Sequence, residues 1–157
     1  MNKTEKLHLI DIGNTSASYG LVIGNKIIKS HSLLIDEIPE LIQKNDKKGS
    51  KLNYTVLIAS VVPESTEHLI SELNARGKFE IYEIGKDIPV PIKTLYKNQS
   101  KLGIDRKIDA FGAIQSNKLP CIVFDFGTAL TCDLIDEKGT FLGGLIIPGP
   151  ATSLKSL

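Results

Sequence analysis

The feature that most constrains this 157-residue chain is a pattern that occurs twice. Ile10-Asp11-Ile12-Gly13-Asn14-Thr15 can be laid over Phe124-Asp125-Phe126-Gly127-Thr128-Ala129. Both stretches read as strand, Asp-x-Gly, strand, turn, strand. Each copy puts a carboxylate at the end of one strand and a glycine two residues on, where backbone can approach a ligand closely. Hydroxyls stand beside them, from Thr15 and Ser16 in the first copy and from Thr128 and Thr131 in the second. Two such turns facing one another would offer amides and hydroxyls to a polyphosphate, and carboxylates to its counter-cations. That is the layout of a nucleotide cleft between two related lobes. The competing reading is a duplicated structural hairpin, because Asp and Gly are common wherever a strand turns over.

The flanking segments set the fold class. Leu7 to Gly13, Ala17 to Ile23 and Lys26 to Leu33 read as an antiparallel meander, with Gly24-Asn25 as a turn. Ile35, Ile38, Leu41 and Ile42 recur at helical spacing behind the acidic start Asp36-Glu37. Thr55 to Val62 is a continuous apolar run, expected of a strand covered on both faces. Pro63 opens a helix to about Ala75, and Phe79 to Ile84 reads as a further strand. Gly85 to Gly103 is too broken for a helix and too long for a plain connection, which marks a functional loop. A helix is expected from Arg106 to about Gln115, with Ile108, Phe111, Gly112 and Ile114 on its apolar side. Cys121 to Asp125, Ala129 to Ile135 and Thr140 to Ile147 read as three strands, and Ser153 onward as a first helical turn. Strands alternating with helices after a meander imply a mixed sheet of the α/β class.

Composition narrows the function. With 41% hydrophobic and 24% charged residues the chain has the balance of a globular domain rather than a disordered one. A formal charge of +1 gives no overall field to hold nucleic acid or an acidic membrane. No apolar run approaches the length needed to cross a bilayer, and the N-terminus does not read as a signal peptide, so the expected location is cytoplasmic. Cys121 and Cys132 lack partners at metal-ligand spacing and are expected as buried free thiols. His8 alternates with Leu7 and Leu9, which suggests a surface or half-buried place. The polar stretch Lys44-Asn45-Asp46-Lys47-Lys48-Gly49-Ser50-Lys51 has no interleaved aromatics and reads as a solvated loop.

One more constellation carries chemistry, Gly103-Ile104-Asp105-Arg106. An Asp directly before a helix is usually its N-cap. Here a carboxylate beside an arginine, after a long loop, is also placed to accept a hydroxyl proton while the guanidinium or the helix amides hold the substrate. Tyr96 on the same loop could close the acceptor pocket.

Taken in order, Asp11-Ile12-Gly13-Asn14-Thr15, Ala59-Ser60-Val61-Val62-Pro63, Tyr96 with Gly103-Ile104-Asp105-Arg106, Asp125-Phe126-Gly127-Thr128-Ala129-Leu130-Thr131 and Gly143-Gly144-Leu145-Ile146-Ile147-Pro148-Gly149 resemble type III pantothenate kinase. That family belongs to the superfamily of acetate and sugar kinases, Hsp70 and actin. The resemblance implies a ribonuclease H-like mixed sheet with flanking helices, an actin-like ATPase lobe over 1–118. The first three strands of a second, incomplete lobe would occupy 119–157. It implies ATP-dependent phosphorylation of pantothenate, the first step of coenzyme A biosynthesis. ATP phosphates would lie on Asp11, Ile12, Gly13, Asn14, Thr15, Ser16, Ala17 and Ser18, and ATP would also touch Thr128. Asp125 would hold a monovalent cation, potassium or ammonium, and a divalent cation such as Mg2+ would lie near Asp11. Pantothenate would lie on Tyr96, Gly103, Ile104, Asp105 and Arg106, with Asp105 the proton acceptor. The full-length family form is expected to be a homodimer, with no nucleic-acid or membrane partner.

Family members run to two full lobes, whereas this chain stops soon after Pro148-Gly149. The chain alone is therefore expected to be a poor or inactive kinase, with an apolar sheet face over Cys121 to Ile147 that needs self-association or unusual packing. A competing class is a non-catalytic nucleotide-binding or transcription-accessory relative. The presence of Asp11, Asp105 and Asp125 argues against decay of the site. Another acceptor, a sugar or acetate, is the remaining alternative.

Overall fold

Alternation of apolar and polar residues, ended by turn residues, sets the first sheet. In the computed structural model, which describes residues 6–45 and 54–155, β1 (Lys6–Ile12), β2 (Ala17–Ile23) and β3 (Lys26–Leu33) form the expected antiparallel meander. The chain divides into two units between Pro89 and Val90. In the first, β4 (Tyr54–Ser60) and β5 (Phe79–Glu83) add parallel strands, giving the order β3-β2-β1-β4-β5. A 3-10 turn over Ile35–Glu37 leads into α1 (Ile38–Asn45), and α2 (Pro63–Arg76) joins β4 to β5. Of the polar stretch 44–51, residues 46–51 lie outside the described residues, as do residues 1–5. No helix among the described residues is long and apolar enough to cross a membrane.

Side chains of a strand alternate between faces, so β1 presents His8, Ile10 and Ile12 to one side. There they meet Tyr19 of β2, Val56 and Ile58 of β4, Ile42 of α1 and Leu69 of α2. Asp11 points to the other face and is exposed. His8 corrects the expectation of a surface or half-buried residue: its even position puts it in the core. Asn45 Nδ2 donates to the Tyr19 hydroxyl (3.2 Å), which leaves the phenolic proton for His8 Nδ1 at 2.8 Å. This network assigns His8 the neutral Nε2–H tautomer. Burial first, and Lys6 second, lower its pKa from 6.5 to about 4.

The second unit holds α3 (Ile104–Gln115), then β7 (Cys121–Phe126), β8 (Ala129–Ile135) and β9 (Thr140–Pro148) as an antiparallel meander, and α4 (Pro150–Lys155). A two-residue strand, β6 (Lys93–Thr94), lies inside the stretch expected to be loop and pairs in parallel with β9, so the order is β6-β9-β8-β7. Two residues carry too little periodicity for a strand to be read. α3 packs on β7 and β8. Its buried stripe is Arg106 and Ala110, continued by the partly buried Ala113 and Ile114, with Gly112 exposed.

The two repeats are matched in topology and opposed in burial. Ile10 and Ile12 correspond to Phe124 and Phe126, yet the latter are 55% and 69% exposed. α3 covers the opposite face, so Thr131, Asp133 and Ile135 of β8 are buried while Leu134 is exposed. Ile122, Phe124, Phe126, Leu145 and Ile147 form the exposed apolar face expected from the sequence. β1 is flanked on its outer side by parallel β4, whereas β7 is the edge of its sheet. Cys121 and Cys132 are free but half-buried rather than buried, Cys132 because it shares the uncovered side of β8 with Leu134.

Two outcomes follow. Phe141, fully buried beside Ile135 and Ala110, is expected to cost about 3–5 kcal/mol as Phe141→Ala. The exposed Phe126→Ser should change stability by no more than about 0.5 kcal/mol. Urea unfolding of both variants checks the contrast. For His8, the folded state binds fewer protons than the unfolded state between pH 6.5 and 4, so stability is full above pH 6.5 and falls as the solution is acidified towards pH 4. At 1.36 kcal/mol per pKa unit, the loss is of the order of 3 kcal/mol. Urea midpoints between pH 7 and 4.5 should show this slope in the wild type and a flatter one in His8→Leu.

Candidate functional site

Each Asp-x-Gly copy is a strand end followed by a tight reversal. In the first, Asp11 stands opposite Ser18 and Ile12 opposite Ala17, and Gly13 N–H donates to the Ser16 carbonyl at 3.0 Å. In the second, Asp125 stands opposite Thr131 and Phe126 opposite Leu130, and Gly127 N–H donates to the Ala129 carbonyl at 2.9 Å. The second reversal is one residue shorter, but both place a hydroxyl residue across from the aspartate. Asp11, Asn14, Thr15 and Ser16 are exposed, as are Asp125 and Thr128, so the polar groups of both turns reach solvent. Ile12 and Ala17 are buried and anchor the first turn to its sheet.

The Pro148-Gly149 end of β9 supports the second turn. Gly149 N–H and the Thr152 hydroxyl both donate to the Thr128 carbonyl, at 2.9 and 2.7 Å. A Cβ at Gly149 would overlap the Gly127 carbonyl, so this close approach needs glycine. The late Pro-Gly motif is thus the brace of the Gly127–Thr128 turn.

A cation at these turns has to fit what is present. No cluster of three or more His, Cys, Asp or Glu side chains suited to a metal occurs among the described residues. Asp11 and Asp125 each offer a single exposed carboxylate. Such a set fits a hard, oxygen-seeking cation that fills its shell with backbone oxygens, water and phosphate, and it does not fit an all-protein cage.

The third cluster begins at the N-terminus of α3. Gly103, and not Asp105, occupies the N-cap position, so the N-cap reading of Asp105 is corrected. Asp105 lies in the first helical turn, half-buried, and its Oδ1 accepts the Arg106 N–H at 2.8 Å. An acid there is favoured by the helix dipole. The Arg106 side chain runs inward: its Nε donates to both oxygens of Asp133 at 3.1 Å, and Nη2 donates to Oδ1. Its guanidinium carbon sits 5.5 Å from the Phe141 ring centre, within cation–π range. Hydrogen bonds that the guanidinium donates to Asp133 raise the Arg106 pKa, opposed by burial, with Tyr96 a lesser raising influence. Tyr96 is half-buried with its ring centre 5.9 Å from that of Phe141.

Asp133 and Phe141, which no sequence motif marks, complete this cluster together with Gly144 of the Gly143–Gly149 motif. Asp133 lies in Leu130-Thr131-Cys132-Asp133-Leu134, where alternation makes the leucines read as core and the aspartate as solvent-facing. The available signal was register: a glycine, Gly144, stands directly opposite it on β9.

The sequence matches the type III pantothenate kinase family over residues 7–157. It is 34% identical to the type III pantothenate kinase of Persephonella marina over 94% of this chain and 62% of that protein. It is equally 34% identical to that of Dehalococcoides mccartyi strain CBDB1, over 100% of this chain and 64% of the relative. A crystal structure described as a conserved putative Baf family transcriptional activator from Campylobacter jejuni superposes with a TM-score of 0.61 at 28% identity, covering 95% of this chain and 58% of that one. The chain thus spans less than two thirds of the length of these relatives, and over that span the mixed sheets, the paired Asp-x-Gly turns and the family match agree: it belongs to the type III pantothenate kinase family.

Proposed function

We propose that this chain carries phosphate-binding and acceptor-binding residues of an ATP-dependent pantothenate kinase, which forms 4'-phosphopantothenate and ADP. The observation that carries the reading is Asp105, an acid held by a backbone amide at the start of α3 and within reach of solvent, in a chain of this family. Phosphoryl transfer asks for positioning and charge neutralisation more than covalent chemistry. Asp105 takes the proton of pantothenate's primary hydroxyl as that oxygen bonds to the γ-phosphorus and the bond to ADP breaks. Tyr96 and the Gly103–Arg106 segment form the pantothenate side. The exposed turn of Asp11 to Ser18 presents amides and hydroxyls to ATP phosphates, and Thr128 adds a further contact. Asp125 would hold a potassium or ammonium ion and Asp11 would be the residue nearest a divalent ion; when bound, such cations would offset phosphate charge. Family likeness also supports a homodimer and a cytoplasmic location.

The test is a coupled ADP-release assay with and without pantothenate and potassium, on this chain and on any longer product of its gene. ADP release should require both additions. Asp105→Asn should lower turnover by about 100-fold or more with an unchanged circular dichroism spectrum. Asp125→Asn should remove the potassium stimulation and leave the fold intact. Full turnover in Asp105→Asn would sink the base assignment, and ADP release indifferent to pantothenate would sink the acceptor.

A further inference from the structure

We propose that Asp133 and Arg106 form a buried positioning pair that sets the place of Asp105, and that the Arg106 guanidinium serves this purpose instead of contacting the anionic end of the acceptor. The inference rests on the kinase reading and deepens it by dividing the Gly103–Arg106 motif into a catalytic acid and its support.

Arg106 is joined to Asp105 twice over, by the chain and by its N–H on the carboxylate. Its side chain spends Nε and Nη2 on Asp133, which is 1% exposed, and stacks on Phe141. Arg106 itself is only 6% exposed. A guanidinium committed to a buried carboxylate has its planar fork directed at β8 and not outward. The pair therefore fixes the first turn of α3 to the middle of the sheet, and the neighbouring carboxylate moves only if that turn moves. Gly144 is built around the same pair. A Cβ there would overlap Asp133 Oδ1 and the Cys132 carbonyl and would lie 2.9 Å from Arg106 Nη2. The glycine is required by the Cys132 carbonyl and at the same time leaves the space that the ion pair occupies.

Removing one partner leaves a buried charge that pulls in water and loosens the helix start. A displacement of the order of 1 Å at a reacting group can cost about 100-fold in rate without weakening substrate binding. The Asp133→Asn variant is thus expected to lose about 100-fold in kcat, with KM for pantothenate changed by less than about threefold. Arg106→Lys, which keeps charge but not the fork, should behave likewise. Ile135→Val, a destabilising change in the same core cluster, should leave kcat within about twofold. A raised KM at constant kcat in Arg106→Lys would overturn the proposal in favour of direct acceptor contact, and so would an equal kcat loss in Ile135→Val.

A second readout stands apart from activity, so that failure of the kinase reading and failure of this one are distinguishable. In the wild-type chain the Asp105 carboxylate accepts the Arg106 N–H. In Asp133→Asn the Arg106 amide signal should move away from its wild-type position in nuclear magnetic resonance spectra while the amides of Leu134 and Ile135 stay dispersed. An Arg106 amide that keeps its wild-type position overturns the positioning role, whether or not the protein phosphorylates pantothenate.

Discussion

The guanidinium of Arg106 against Asp133 is what allows α3 to lie on the polar face of its sheet. Burying an aspartate costs several kcal/mol unless its oxygens are satisfied. Three donor contacts from one planar side chain, reaching in from the helix, supply that satisfaction. With the carboxylate neutralised, Ala110 and Ile114 can close over Ile135 and Phe141 and complete a small core. The position of Asp105 follows from the same contact, since it precedes Arg106 on the first turn.

The unit before Pro89 solves the same problem in the opposite way. Its three-stranded meander buries the apolar set of β1 and β2 under α1 and α2, and leaves Asp11 on the far side. In the later unit the equivalent apolar set, Ile122, Phe124 and Phe126, is open, and the set with Asp133 is covered. The two copies therefore share a hairpin and a terminal aspartate but not a core. What they hold in common, a carboxylate across from a hydroxyl and a glycine amide in a tight reversal, is the part that packing does not require. Hairpin stability alone would be served by many other turn residues.

Much of the architecture was legible because turn chemistry and alternation are local. The bounds of β2, β3 and β8 are those read from the sequence, with Gly24-Asn25 closing β2 and opening β3 and the turn at 136–139 closing β8. The bare apolar face was also foreseen, from strands with no helix after them. What escaped was non-local. β6 exists only through its pairing with β9, and His8 is buried only because α1 and α2 cover its face. Asp133 was invisible for a sharper reason: its strand alternates in the expected way, and the helix covers the unexpected side. Within Leu130 to Ile135 the leucines point to the set that stays open; Arg106, far away in sequence, decides for the other. Asp105 was misplaced as geometry, since Gly103 takes the cap and leaves the acid in the first turn.

The ion pair also says what kind of constraint is at work. A buried pair of this sort contributes little net stability, and well-packed apolar residues of similar volume are often as good or better. Leu or Met at position 106 with an aliphatic residue at 133 would fill the same space, while position 144 would still be held to glycine by the Cys132 carbonyl. The arrangement present accepts a desolvated carboxylate and an arginine that gives both Nε and Nη2 to it. Those costs make sense where direction matters more than stability. Hydrogen bonds from a planar fork fix both the rotation and the advance of α3, whereas apolar packing would let the helix start slide by fractions of an ångström. The Asp105 carboxylate, one residue before Arg106 and bonded to its N–H, is held by that same registration.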